Sequence, residues 1–309
     1  QVYYPPRYDI VDGLAPDLET SSQLEKEIPL GIHRVPNALR DIIRHKLDGD
    51  ELSGKSAEYF VNIEPILKEP LSWGSYVARF STLMWAEEIQ MELDIRNYDM
   101  DWATMTMSRD NPRLLLLRVP GLAENRPSVL KGDVLYAAKK LSDGSTEHKE
   151  YKGYVHEVYL NEVAIGFHKS LVDEFVDNMK FAIRFTFNRL PLQLMHRSVE
   201  LADENSLEQM LFPTIETACA LSPIVPADIP LRLVNRQLEN NGEQYQAIKH
   251  ILMGTSRPAP YLIFGPPGTG KTVTLVEAIQ QVLINVPEAH ILACAPSNSA
   301  ADLIAQRLL

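Results

Sequence analysis

Gly265-Pro266-Pro267-Gly268-Thr269-Gly270-Lys271-Thr272 decides the reading of this 309-residue chain. The octet fits G-x-x-x-x-G-K-[ST], the loop that closes around nucleotide phosphates. Each residue type has a physical task. The glycines permit positive φ and let backbone N–H groups gather around anionic oxygens. The helix that follows turns its positive dipole end toward the same oxygens. Lys271 is placed to neutralise the β- and γ-phosphates, and the Thr272 hydroxyl to ligate Mg²⁺, so these two are the candidate catalytic contacts. Gly265, Pro266, Pro267, Gly268, Thr269 and Gly270 form the remainder of the candidate binding loop.

The flanks supply the context such a loop needs. Apolar Tyr261–Phe264 reads as a strand ending just before it, and Gly270 to about Ile284 as the helix just after. A second strand at His290–Cys294, a helix from Asn298 onward and a helix near Glu243–Met253 complete an alternation that begins a parallel α/β sheet. Gln244 lies 21 residues before Gly265. Its amide, with one donor end and one acceptor end, suits an adenine edge, and it equally suits the surface of a helix. Ala295-Pro296-Ser297-Asn298-Ser299-Ala300-Ala301-Asp302 follows the second strand. Ser297 and Asn298 either cap the next helix or, with Pro296, hydrogen-bond a nucleic-acid backbone. Residue chemistry alone leaves both choices open.

Upstream, Pro223, Pro226 and Pro230 mark a connector, and the period changes. Leu190–Asn205 has helical spacing through Leu194, Met195, Val199 and Leu201. Before it, Phe181, Ile183, Phe185 and Phe187 alternate with Ala182, Arg184 and Thr186, the clearest period-two pattern in the chain. Short strands at 114–117, 134–136, 151–160 and 163–168 are joined by turn signals at Ser142–Ser145 and Asn161–Glu162. Together they predict a small antiparallel barrel. An amphipathic helix over Gly74–Arg96 should bury Tyr76, Val77, Phe80, Leu83, Met84, Ile89 and Leu93. Another over Arg34–Leu47 should bury Leu39, Ile42, Ile43 and Leu47. Asp48–Gly54 reads as a solvated turn, since it lacks the oxygen ladder and closing Glu of a calcium loop. Residues 1–30, rich in Pro and acid, read as a loop.

Composition narrows the function. Lys plus Arg number 30 against 41 Asp plus Glu, a net charge of -11, which excludes coating nucleic acid by bulk charge. Residues 109–197 differ, with 14 basic against 11 acidic side chains. Lys131, Lys139, Lys140, Lys149 and Lys152 gather around the predicted hairpins, and the last four are taken as candidate contacts to nucleic-acid phosphates. The sequence contains no run of 18 apolar residues, the length a membrane-crossing helix needs. Two cysteines, Cys219 and Cys294, exclude a disulfide framework and a four-Cys zinc site, and fit a reducing compartment. Cys294 is expected to pack within its strand, and His156 and His168 to sit on strands as structural or exposed residues.

Gln244, the phosphate loop with its Pro-Pro pair and the Ala295–Asp302 stretch together resemble superfamily 1 helicases of the RNA-active, 5′-to-3′ branch. Ser256–Tyr261 leading into Gly265, and His290–Asn298, resemble the Armitage-like helicases in particular. The departure is Gly242, where that family often has Pro. The resemblance implies an α/β RecA-like phosphate-loop domain, partial here, preceded by a small antiparallel β-barrel between stalk helices. Its domains would be 1–72, a linker and the end of an upstream region; 73–108, a stalk helix; 109–188, the barrel; 189–222, a second stalk helix and connector; and 223–309, the first RecA-like domain, truncated. It further implies ATP and Mg²⁺ as cofactors and single-stranded RNA as substrate. Argonaute-type silencing proteins and mRNA-decay factors are the implied partners, and cytoplasmic RNA granules (P-bodies and stress granules) the implied location. RNA silencing, mRNA turnover and retroelement restraint are the implied roles. No acidic Walker-B pair follows the phosphate loop, so these 309 residues by themselves are expected to be inactive. A germline relative in transposon silencing, and a remodelling ATPase or scaffold with a protein substrate, are the alternatives.

Overall fold

The computed structural model describes residues 8–17, 29–218, 224–225 and 231–309. The connector prolines Pro223, Pro226 and Pro230, and Cys219, lie outside the described residues. Two units emerge, residues 1–201 and 202–309, and each is taken by itself.

The first unit begins with three helices, α1 (Asn37–Arg44), α2 (Gly54–Lys68) and α3 (Trp73–Ile95). Leu39, Ile42, Ile63 and Ile89 form their shared core. Ser72 and Ser75 close a reciprocal capping box that starts α3. Helix α2 was not expected: Pro65 interrupts its pattern and Ile63 is its one buried residue. Leu47 is half exposed, at φ +63°, because α1 has already ended. Leu83 is exposed too. It lies about 100° around the helix from Met84, and Met84 is what packs with Leu192 and Val199 of α5 (Leu190–Glu204). Helix α5 buries Val199 as expected, but the rest of its inward face differs. Leu192, His196 and Val199 are buried, whereas Leu194, Met195 and Leu201 are exposed.

Strands β1 (Asp9–Asp12), β2 (Met100–Met107), β3 (Leu114–Arg118), β4 (Val134–Lys140), β5 (Thr146–Val158), β6 (Glu162–Gly166) and β7 (Lys180–Phe185), with helix α4 (Lys169–Glu174) between the last two, build the barrel. The order β5-β4-β7-β2-β3-β6 returns to β5, so six strands close on themselves, every neighbouring pair antiparallel. Strand β1 lies parallel along the outside of β5. Closure removes the free edges that would otherwise invite pairing. Alternation sends Phe181, Ile183 and Phe185 inward with Leu115, Leu117, Tyr151 and Val155. Gly153 is needed there, since an added Cβ would meet the Ile165 and Phe167 side chains at 2.5 Å. The Phe181–Phe185 alternation thus marks a true barrel strand. Strand β2 belongs to the barrel as well, although residues to 108 read with the stalk helix.

The second unit carries the short helices α6 (Glu208–Leu211) and α7 (Ile215–Ala218), then α8 (Gly242–Met253), α9 (Lys271–Asn285) and α10 (Asn298–Leu308). The last three fall where helices were expected. The two parallel strands do not form. Residues 261–264 and 290–294 carry no strand pairing, and Leu262, Phe264 and Leu292 are 83%, 98% and 89% exposed. A parallel strand has its N–H and C=O groups satisfied only by neighbours, and none flanks these segments among the described residues. Among the described residues, this part of the P-loop domain packs around Leu233, Leu238, Ile248 and Ala278.

Candidate nucleotide site

The phosphate loop folds through its own side chains. Lys271 Nζ donates to the carbonyls of Gly265 and Pro266, at 2.7 and 2.8 Å. Thr269 Oγ1 donates to Pro266 O at 2.9 Å. Gly268 and Gly270 take φ of +82° and +86°, the left-handed values open to glycine. Helix α9 then starts at Lys271, and its first intrahelical bond runs from Thr274 N to Gly270 O. The amides preceding it have no intrahelical acceptor, which is what an anion-binding helix start requires. Thr272 is half-buried in that first turn.

Gln244 joins the loop from α8. Its Nε2 donates to Thr274 Oγ1 at 2.8 Å and to Gly270 O at 3.3 Å. A carbonyl oxygen can only accept, so the amide turns its nitrogen toward Gly270 O. The donor end that might have read a base is engaged by the loop, leaving Oε1 as an acceptor. Helix α8 is held at its start by Asn241, whose side chain accepts from Gln244 N at 3.2 Å. Gln244, Tyr261, Phe264, Gly265, Lys271 and Thr274 line an open cleft of about 670 Å³.

The other candidates separate. Ser297 caps α10, accepting from Ala300 N at 3.3 Å, while Pro296 and Asn298 are exposed beside it. The four lysines do not make one patch. Lys139 and Lys149 continue the inward rows of β4 and β5 to the barrel rim, within 5.6 and 4.9 Å of the Tyr151 ring. Lys140 and Lys152 lie on the outer rows, over Trp102 and Tyr154. Three are ion-paired: Lys139 to Glu174 at 2.6 Å, Lys140 to Asp101 at 2.7 Å and Lys152 to Asp12 at 3.1 Å. The hydrogen bond from Lys139 holds the Glu174 carboxyl below its ordinary range. His156 bonds the Leu14 carbonyl at 2.8 Å, and His168 caps α4 rather than sitting on a strand. Cys294 is exposed, contrary to its expected packing, because its strand is not assembled.

Sequence reasoning passed over Thr274, Glu277 and Gln281. Glu277 is 1% exposed and Gln281 fully buried, both on α9. The available signal was a carboxylate among Val276, Ala278 and Ile279.

Comparison with known proteins agrees with this layout. The family description "Helicase MOV-10, helical domain" matches residues 30–97, "Helicase MOV-10, beta-barrel domain" residues 98–185 and "AAA domain" residues 239–309. A Gallus gallus protein named "Putative helicase MOV-10" is 49% identical across 96% of this chain. "Probable RNA helicase armi" of Drosophila melanogaster is 33% identical across 91%, and "RNA helicase Mov10l1" of Homo sapiens 31% across 89%. The chain spans 30%, 24% and 26% of those proteins' lengths.

Proposed function

The chain belongs to the MOV-10 helicase family, and from that premise we propose that its phosphate loop serves an ATP-dependent RNA helicase moving 5′-to-3′ on single-stranded RNA. The observation that carries the reading is the convergence of Gln244 and Lys271 on one loop. Lys271 meets the phosphates, Thr272 ligates Mg²⁺ when the metal–nucleotide pair is bound, and Gln244 Oε1 accepts from the adenine amino group. Pro296, Ser297 and Asn298 at the start of α10 contact RNA in the second unit, and in the first unit individual barrel lysines, Lys149 foremost, meet RNA phosphates. ATP draws two RecA-like lobes together, and hydrolysis parts them, advancing the RNA. RNA silencing, mRNA turnover and retroelement restraint in cytoplasmic granules, with Argonaute-type and decay-factor partners, are proposed on family membership alone.

The test is ATPase activity in a protein spanning the full length of the relatives. Stimulation by single-stranded RNA is the expected result. Turnover indifferent to RNA but raised by a protein client would replace the helicase reading with that of a remodelling ATPase.

A further inference from the structure

Glu277 stands between one and two turns along α9 from Lys271. Its carboxylate accepts the backbone N–H groups of Val234 and Asn235, each at 2.9 Å. Gln281, one turn on, donates to Arg232 O at 2.8 Å and to Glu277 Oε1 at 2.9 Å. A carboxylate buried this deeply is tolerated only when its oxygens are hydrogen-bonded. Here the bonds fasten residues 232–235 to the helix that begins at the phosphate loop.

What is fastened leads directly to Gln244. The Asn235 side chain accepts from Gln237 N at 3.1 Å and opens the short turn Arg236–Asn240. Leu238 of that turn is buried with Ile248 and Ala278. Asn241 follows and caps α8 through Gln244 N. Glu277 therefore fixes one end of a short, continuously anchored segment, and Gln244 closes the other end back onto Gly270 and Thr274.

We propose that Glu277 is a positioning residue for nucleobase selection, setting where Gln244 Oε1 stands relative to the phosphate loop. The proposal rests on the cleft being a nucleotide site and deepens that reading. Adenine presents an amino donor where guanine presents a carbonyl acceptor. An amide whose nitrogen is bound to the loop offers only its acceptor and so favours adenine. If residues 232–241 shift, the bond to Thr274 loosens, the amide turns either way, and the preference disappears.

The experiment titrates the 309-residue chain with fluorescent ATP and GTP analogues, and with tripolyphosphate as competitor. Wild type is compared with Glu277→Gln, Gln244→Ala and the double variant. Glu277→Gln keeps the volume but can accept at only one oxygen. Its ATP affinity should fall about tenfold, the factor set by one net hydrogen bond. Its ATP-to-GTP ratio should approach that of Gln244→Ala, and the double variant should be no worse than the weaker single one. Tripolyphosphate, which reads the loop alone, should stay within about twofold of wild type. Equal losses of ATP and tripolyphosphate would mean Glu277 merely supports the fold, and would overturn the proposal. So would an unchanged ATP-to-GTP ratio. Wild type that binds tripolyphosphate without preferring ATP would remove Gln244 as a base reader, and the inference with it. Wild type that binds neither would instead defeat the nucleotide-site reading itself. Should Glu277→Gln fail to fold, Glu277→Asp, which keeps the charge on a shorter arm, carries the same readout.

Discussion

Lys271 Nζ lies 2.7 Å from the carbonyl oxygen of Gly265, six residues earlier in the chain. The cation proposed to meet phosphate is thus also the clasp that shapes the loop. Lys271→Ala removes both roles. A hydrogen bond to a charged group is worth about 1.5–3 kcal/mol, so ATP affinity should fall roughly 10- to 150-fold. RNA binding without nucleotide should be unchanged. Paired titrations of a fluorescent ATP analogue and labelled RNA check both halves; loss of both would mean that the two surfaces are not separate.

The 309-residue chain should bind ATP–Mg²⁺ and turn it over negligibly. Among the described residues, the one carboxylate lining the cleft is Glu243, next to Gln244 at the start of α8. Positioning the metal and activating the attacking water both call on further residues. Phosphate release under multiple-turnover conditions is the measurement, and sustained release would contradict the assignment of roles.

The barrel lysines should contribute unequally to RNA binding. Lys139, Lys140 and Lys152 already have carboxylate partners, so an RNA phosphate must displace these. Lys149 has no ion-pair partner among the described residues. Each phosphate neutralised on a single strand contributes about -0.7 to the log–log salt slope. Lys149→Ala should flatten the slope by nearly that amount, and Lys140→Ala by less. Titrations at several salt concentrations decide the matter: if replacing all four lysines leaves the slope unchanged, the barrel is not on the RNA path.

Arg184 and Glu150 form a two-pronged pair on the outer barrel face, at 3.0 and 2.6 Å, with the Glu150 side chain 5% exposed. The guanidinium also stacks 4.2 Å from the Tyr136 ring centroid. Arg184→Ala leaves a buried carboxylate without its partner, at a cost of about 3–5 kcal/mol. Urea unfolding should show the midpoint falling with little change in slope. Replacing both residues by Met should cost much less than either single change to Ala.

His196 is buried and stacked on His33 at 4.6 Å. Burial, then the nearby charge of His33, pushes its pKa below the ordinary 6.5, against a smaller upward pull from Glu200. The sign follows from linkage: at pH above 6.5 both folded and unfolded states are neutral here, and the full contribution is present. As pH falls below 6.5 the unfolded state takes up the proton first, so stability drops until the folded pKa is passed. Unfolding at pH 5.5 and 7.5 should show wild type losing more stability on acidification than His196→Phe. An equal loss in the two proteins would place the acid sensitivity elsewhere.

The phosphate loop and helices α8, α9 and α10 were legible in the sequence because their chemistry is contiguous. Glycine spacing, a lysine, a capping Ser297 and an apolar period all act within a few residues of one another. The period-two run Phe181–Phe185 was legible for the same reason, since alternation needs only the strand itself. Partners remote in sequence were decided by the tertiary structure alone. Closure of β6 onto β5, the parallel addition of β1 and the recruitment of β2 depend on hydrogen bonds between distant strands. Within α5 the pattern marked Val199, but Leu192 and His196 took the inward positions expected of Leu194 and Met195, because α3 presents Met84 to that face. Tyr261–Phe264 and His290–Cys294 have strand composition, yet a strand forms only when a neighbour takes its hydrogen bonds. Residue chemistry left Gln244 open between a surface position and an adenine contact, and which end of its amide faces the loop was set by Gly270 and Thr274, 26 and 30 residues away. Glu277 gave the least sign of all: a carboxylate in a helix reads as a solvated face until the fold brings Val234 and Asn235 against it.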